Sequence, residues 1–122
     1  MSALESLEWL DSAAEVKGPK AVLDEYAKAL TSKSGGKVKG VVEAIPLTTV
    51  TGPGEYVSSV TYRINADVPD LRGYRTTLFE TDDHGAHVWS EEELQDLRGQ
   101  LDETFRSDDF KQTVRGLISA AS

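Results

Sequence analysis

The chain has 122 residues, no cysteine and a formal net charge of −8 at pH 7. Its length predicts a single domain, residues 1–122, whose core needs no cross-link to fold. The composition excludes disulfides and thiolate chemistry, disfavours direct nucleic-acid binding, and offers no apolar run long enough to cross a membrane. Because the N-terminus also lacks a basic segment followed by an apolar one, we expect a soluble cytoplasmic protein.

Two amphipathic helices are predicted at the start of the chain. The first covers residues 3–16, and Ser2 and Glu5 would close it with a capping box. A Gly-Pro pair separates it from the second, predicted over residues 19–32. Its apolar residues recur at the spacing of a core-facing helix: Val22, Leu23, Tyr26, Ala27 and Leu30.

A β-hairpin is predicted next, and the rest of the fold is organised around it. Its first strand covers residues 38–50, where Pro46 marks a bend, a bulge or an edge position because it cannot donate to a ladder. In the turn, Pro53 presets one backbone angle and Gly54 accepts a positive φ. The second strand alternates strictly, which predicts one buried face formed by Tyr56, Val60, Tyr62, Ile64, Ala66 and Val68.

A third strand is predicted over residues 74–81, and a tight turn over 82–85 leads to a short fourth strand over 86–89. Strict alternation in the third strand places Phe79 on the polar face of the sheet. The same alternation allows Glu80 to point inward, where burial would raise its pKa as in a general acid or base, but its place at the strand end favours a solvated carboxylate.

Two more helices are predicted to close the chain. Ser90 and Glu93 form a capping box for a helix that runs to about Arg106, and Ser107 caps the last one. The apolar face of that last helix comprises Phe110, Val114, Leu117, Ile118 and Ala121.

This order predicts an α+β fold: an antiparallel meander of three or four strands flanked by two N-terminal and two C-terminal amphipathic helices. The helices are expected to cover the face that carries Tyr56, Val60, Tyr62 and Ile64. The other face, rich in Ser, Thr and charged residues, is left open to water or to a partner.

The candidate metal ligands are His84, His87, Asp82 and Asp83, which surround the predicted turn after the third strand. Imidazole and carboxylate groups suit zinc or another divalent ion, and a tight hairpin would bring the two histidines together. Because this is also ordinary turn composition and no third distant ligand is evident, the sequence favours no metal and no cofactor.

The excess negative charge lies in one segment, since residues 80–109 contain eleven acidic residues against two arginines. Glu91, Glu92 and Asp96 within it are candidate contacts for a partner with a basic surface. Val57 and Phe79, placed by alternation beside Val41 on the open face, would form an apolar contact patch.

No motif specific to one chemistry is present, so the sequence favours a non-enzymatic protein-interaction module of bacterial or phage type, able to self-associate. In size, acidity and element order, though in no motif, it resembles the small cytosolic chaperones that hold secretion substrates, which implies an adaptor, chaperone or inhibitor role. One alternative is a small α+β enzyme or ligand binder with a pocket between sheet and helices, using Tyr56, Tyr62, Tyr74, Glu80 and His87. The other alternative is an acidic nucleic-acid mimic that blocks a basic site on another protein.

Overall fold

The structure is a computed structural model that describes residues 18–84 and 87–122. This part of the chain is α+β, with three α-helices and one three-stranded antiparallel sheet. The elements are α1 (Pro19–Lys33), β1 (Lys39–Gly52), β2 (Glu55–Val68), β3 (Tyr74–His84), α2 (Glu91–Arg106) and α3 (Asp108–Ala120), with a 3₁₀ turn (Pro69–Leu71) between β2 and β3. The helix predicted over residues 3–16 lies outside the described residues, so the predicted two-plus-two arrangement reduces to one helix before the sheet and two after it.

The sheet is a meander in the order β1-β2-β3. As predicted, Pro53 and Gly54 form the β1–β2 turn, and Gly54 has a φ of 73°. Pro46 lies on an edge strand. The N–H of Gly40 donates to a side chain of α1 and therefore points away from β2. In an uninterrupted antiparallel strand every second residue directs its nitrogen to the same side, so the nitrogen of Pro46 also faces the free edge of β1.

The predicted fourth strand is wrong. Strand β3 continues to His84, three residues beyond its predicted end, and residues 87–89 have no regular secondary structure. The extension is paired with β2 as far as Ser59. Residues 82–84, predicted to form a turn, therefore lengthen the third strand, and residues 87–89 precede α2 without strand structure; residues 85 and 86 lie outside the described part of the chain.

A bulge in β3 changes the faces predicted for its residues. The pairing moves from Ile64 opposite Phe79 to Asn65 opposite Thr77, which leaves Leu78 as an extra residue. Phe79 and Leu78 consequently both pack against the core on the helix side. The predicted placement of Phe79 on the polar face is wrong for this reason.

The helices cover one face of the sheet through two connected groups of apolar side chains. Ile64 lies at the centre of the first, which joins α1 and α2 to the middle of β2; its buried members are Val22, Leu23, Ala27, Ile64, Leu94, Leu97 and Leu101. The second group joins α3 to the end of the sheet and contains Leu30, Val38, Ala66, Val68 and Leu117. Tyr62 packs against the first group as predicted, whereas Tyr56 lies beyond the helices and is exposed.

Helix α1 rests directly on β1 at Gly40. A Cβ atom at this position would lie 2.4 Å from the carbonyl oxygen of Ala27. Thr31 bridges the two elements, because its hydroxyl accepts from the N–H of Gly40 at 2.8 Å and donates to the Ala27 carbonyl at 3.1 Å. Glycine is therefore required here by the close approach of two backbones.

The C-terminal helices begin where the sequence predicts. Ser90 and Glu93 form a complete capping box at the start of α2. The side chain of Ser107 accepts from the N–H of Phe110 at the start of α3. Among the residues described, no helix combines the length and apolar character that a bilayer-spanning segment requires.

Candidate functional site

The far half of the β-hairpin projects as a two-stranded ribbon. Strand β3 ends at His84, opposite Ser59, so among the described residues 48–52 of β1 and 55–58 of β2 have only each other as strand partners, and Pro46 and Leu47, opposite Val60 and Ser59, form the base of this projection. We call residues 46–58 the ribbon. None of its side chains belongs to the apolar groups that the described helices bury, and most of its residues are exposed.

Large apolar side chains are concentrated on this ribbon. Leu47 is 56% exposed, Val50 64%, Tyr56 66% and Val57 44%. Val50 pairs with Tyr56 on one face, while Leu47 and Val57 lie on the other. The ribbon therefore offers apolar contacts on both faces, and the alternation that predicted a buried Tyr56 continues past the point where the core ends.

The predicted partner contacts Glu91, Glu92 and Asp96 are all exposed on α2. The two glutamates occupy the first helical turn, where the helix dipole favours negative charge. Of the two predicted apolar contacts, Val57 is exposed on the ribbon. Phe79 packs against the core on the helix side and is not part of this surface.

A carboxylate–histidine–carboxylate chain connects the base of the ribbon to the start of α2. Asp83 pairs with Val60 and is 4% exposed. Nδ1 of His87 lies 3.0 Å from Oδ1 of Asp83, and Nε2 lies 2.7 Å from Oε2 of Glu93. These contacts tie the first turn of α2 to the sheet at Asp83, one row before β3 ends and opposite Val60.

The contacts among Asp83, His87 and Glu93 shift two of their pKa values in opposite directions. The hydrogen bond to Glu93, with the nearby carboxylates, raises the pKa of His87 above its ordinary value of 6.5. The same bond and the capping contacts with Ser90 lower the pKa of Glu93 below 4.5. Burial, followed by the charge of Asp83, raises the pKa of Tyr62. The two carboxylates on either side of the ring thus favour the protonated form of the histidine.

The four predicted metal ligands do not converge. Asp82 and His84 lie on the open face of the sheet, and Asp82 accepts a hydrogen bond from Thr61 at 2.8 Å. Asp83 points to the opposite face and meets His87. The two nitrogens of an imidazole point in opposite directions, so Asp83 and Glu93 cannot share one ion with it. Within residues 18–84 and 87–122, no group of three or more His, Asp or Glu side chains is arranged to hold a metal.

The open face of the sheet carries a ladder of ion pairs. Arg63 lies between Glu80, at 2.8 Å, and Glu43, at 3.8 Å. Arg75 contacts Asp67 through two hydrogen bonds, and these lower the pKa of that carboxyl group. Glu80 is exposed, the placement that the sequence favoured over an inward one, and the bulge in β3 turns it to this face, where it pairs with Arg63. The ladder satisfies its own charges and offers no free acid or base.

The five residues proposed for a pocket between sheet and helices are dispersed. Tyr56 is on the ribbon, Glu80 on the open face and Tyr74 half exposed at the start of β3. Tyr62 and His87 alone lie near a common group, Asp83. Sequence reasoning missed Glu93 as the partner of His87 because it had already been assigned to the capping box, and its two carboxylate oxygens serve both contacts.

The comparisons with known proteins give no relative. No protein-family model matches the chain, and neither a curated protein nor a solved structure shows significant similarity to it.

Proposed function

We propose that this chain is a protein-interaction module without catalytic activity of its own, and that the ribbon is its docking element. The observation that carries the proposal is the clustering of Leu47, Val50, Tyr56 and Val57, all exposed, on a ribbon that the helices do not cover. These side chains form two groups, Val50 with Tyr56 on one face and Leu47 with Val57 on the other, and exposed apolar side chains grouped in this way typically mark an interface, whereas scattered ones do not.

The ribbon is well suited to bind by inserting side chains into a partner. The β1–β2 ladder satisfies the backbone groups between the two strands, whereas those on the outer edges are free, so burying the side chains of the two faces leaves fewer polar groups unpaired than burying an edge. Tyrosine is enriched among residues that dominate binding energy, and truncating one such residue typically costs about 2 kcal/mol or more. We expect Tyr56 to be the main anchor, supported by Val50 on the same face.

The charge around the ribbon selects the partner's chemistry. Glu91 and Glu92 lie at the end of α2 that the Asp83–His87–Glu93 chain holds beside the ribbon base. A partner with an apolar groove bordered by basic residues would match both features, and opposite charges would accelerate its association.

The test compares capture of proteins from the source cell by three tagged forms of the chain. The first is the natural sequence, and the second carries Val50→Thr and Tyr56→Thr, which retain β-propensity while removing apolar surface. The third, Tyr74→Thr, removes a half-exposed tyrosine outside the ribbon. Far-UV circular dichroism establishes that all three are folded.

We expect a protein that is retained by the natural chain and by Tyr74→Thr, but lost or at least tenfold depleted with the ribbon variant. Equal capture by all three forms would contradict the proposal. Light scattering extends the test to self-association: a dimer that the ribbon variant alone dissociates would identify a second copy as the occupant. If the natural chain and the ribbon variant capture the same protein equally, and this capture is lost at about 0.5 M salt, the acidic mimic is favoured instead.

A further inference from the structure

A cleft of about 390 Å³ lies between α1 and the corner where α2 meets α3, on the side of the helices remote from the ribbon's anchors. It arises because α1 packs on α2 and α2 on α3, while α1 and α3 form no comparable contact. Its size is within the range of small-molecule sites. The lining residues come from all three helices: Tyr26, Ala29, Leu30, Lys33, Asp102, Phe105 and Phe110.

Aromatic rings form one wall of the cleft. Phe105 stacks on Phe110, with ring centroids 4.3 Å apart, and meets Tyr26 edge-on at 5.3 Å. All three rings are only partly buried. A flat aromatic ligand could extend this arrangement by stacking or edge-to-face contact, since such pairs stabilise beyond their buried area.

Polar groups stand at two places on the rim. The hydroxyl of Tyr26 donates to Oδ1 of Asp102 at 2.7 Å, and burial together with this carboxylate raises the tyrosine's pKa. The carboxylate retains lone pairs for another donor. Lys33 supplies the cleft's positive charge, and it has no carboxylate partner among the residues the structure describes.

An adjoining depression contains a second cation, Arg98, which, unlike Lys33, has a carboxylate partner among the described residues. It shares Tyr26 and Ala29 with the cleft and is also lined by Glu25 and Arg98. Arg98 makes two hydrogen bonds to Glu25, at 2.6 and 3.2 Å, so its charge is already matched.

We propose that this cleft binds a small aromatic carboxylate that also carries a hydrogen-bond donor. Its ring packs on the wall of Phe105 and Phe110, its carboxylate pairs with Lys33, and its donor meets Asp102. The site shares no residue with the ribbon, so the proposal stands or falls separately from the proposed protein partner.

The test uses 4-hydroxyphenylacetate as the probe and tyramine, which replaces its carboxylate with a cation, as the matched control ligand. Binding to the full chain is followed by amide chemical shifts in two-dimensional NMR. We expect saturable shifts at the cleft helices and none on the ribbon. Tyramine should bind at least tenfold more weakly, because it would place a cation beside Lys33.

Two variants assign the binding to the cleft. Lys33→Gln should weaken the probe about tenfold or more, the effect of losing one charge-assisted hydrogen bond, whereas Lys28→Gln on the same helix but outside the cleft should not. Ala29→Trp places a bulky side chain at an exposed position of the lining and should abolish binding without removing a core residue.

Three results would overturn the proposal. The first is the absence of cleft shifts at about 10 mM probe, far above the range of a specific site. The second is equal binding of tyramine. The third is undiminished binding by a folded Ala29→Trp variant.

Discussion

Replacing Gly40 with alanine should destabilise the fold strongly, because the added methyl group has nowhere to go. Its Cβ would lie 2.4, 2.7 and 2.8 Å from three backbone atoms of Ala27, whereas ordinary contact begins at 3.4 Å. Backbone atoms cannot rotate aside as a flexible side chain can. Helix α1 must therefore move away from β1 by about 1 Å, which also weakens the hydrogen bond from the N–H of Gly40 to the hydroxyl of Thr31.

The size of the effect follows from two destabilising contributions and one stabilising contribution. Overpacking costs roughly 1–3 kcal/mol, and a weakened buried hydrogen bond adds about 1 kcal/mol. The reduced freedom of the unfolded chain returns roughly 0.4–1 kcal/mol. We expect Gly40→Ala to lower the free energy of unfolding by about 2–3 kcal/mol, measured by urea denaturation followed by circular dichroism and tryptophan fluorescence.

Gly99→Ala is the matched control, since nothing lies within 4 Å of a Cβ added at this position in the interior of α2. Alanine is the better helix former, so this variant should gain about 1 kcal/mol. The two identical substitutions should thus have opposite signs. A Gly40→Ala protein that unfolds at the same urea midpoint as the natural chain would refute the packing of α1 described above.

Three further outcomes follow from single contacts. Tyr26→Phe removes the hydroxyl donor to the carboxylate on α2 and should cost about 1 kcal/mol in urea; an unchanged midpoint would contradict the bond. Ser107→Ala removes the acceptor at the start of α3 and should cost about 1 kcal/mol, whereas Ser107→Gly should cost less. The pKa of His87, followed by NMR titration, should lie above 6.5 and fall towards it in Glu93→Gln. Because the pKa of His87 is raised in the folded state, its contribution to stability is full below pH 6.5 and is lost as the pH rises through the raised value. Because the pKa of Glu93 is lowered, its contribution is full above pH 4.5 and is lost as the pH falls through the lowered value. An unperturbed histidine in the natural chain would show that the contact does not form in solution.

The helices and the hairpin could be predicted because their signals are local. Ser90 with Glu93 identifies a helix start within four residues, and Pro53 with Gly54 identifies a turn within two. Each of these elements begins or turns where the sequence predicts. No long-range information is needed for such features, since the chain satisfies its own backbone groups there.

The faces of β3 could not be predicted, because one inserted residue inverts every assignment beyond it. Leu78 and Phe79 are both apolar, so a continuous strand could bury either one, and the bulge buries both. The same bulge turns Glu80 to the open face, so the inward alternative considered for it does not occur. A run of two adjacent apolar residues within an alternating strand is the signal that would have indicated the bulge.

The candidate contacts divide in a similar way. The exposure of Val57, Glu91 and Glu92 follows from local pattern, whereas the extent of the core along β2 depends on where α1 and α2 end. Alternation identifies a face but not the point at which its covering stops. Tyr56 was therefore assigned to the core although it belongs to the ribbon.

Pro46 restricts how another molecule can use the free edge of β1. An incoming strand would need a donor at the position where the proline nitrogen faces outward, and it would find none. The long edge is thus interrupted at the base of the ribbon, which opposes fibre growth by repeated strand addition. A molecule that binds the ribbon must therefore contact its side chains, and specificity then depends on shape and charge rather than on main-chain hydrogen bonds.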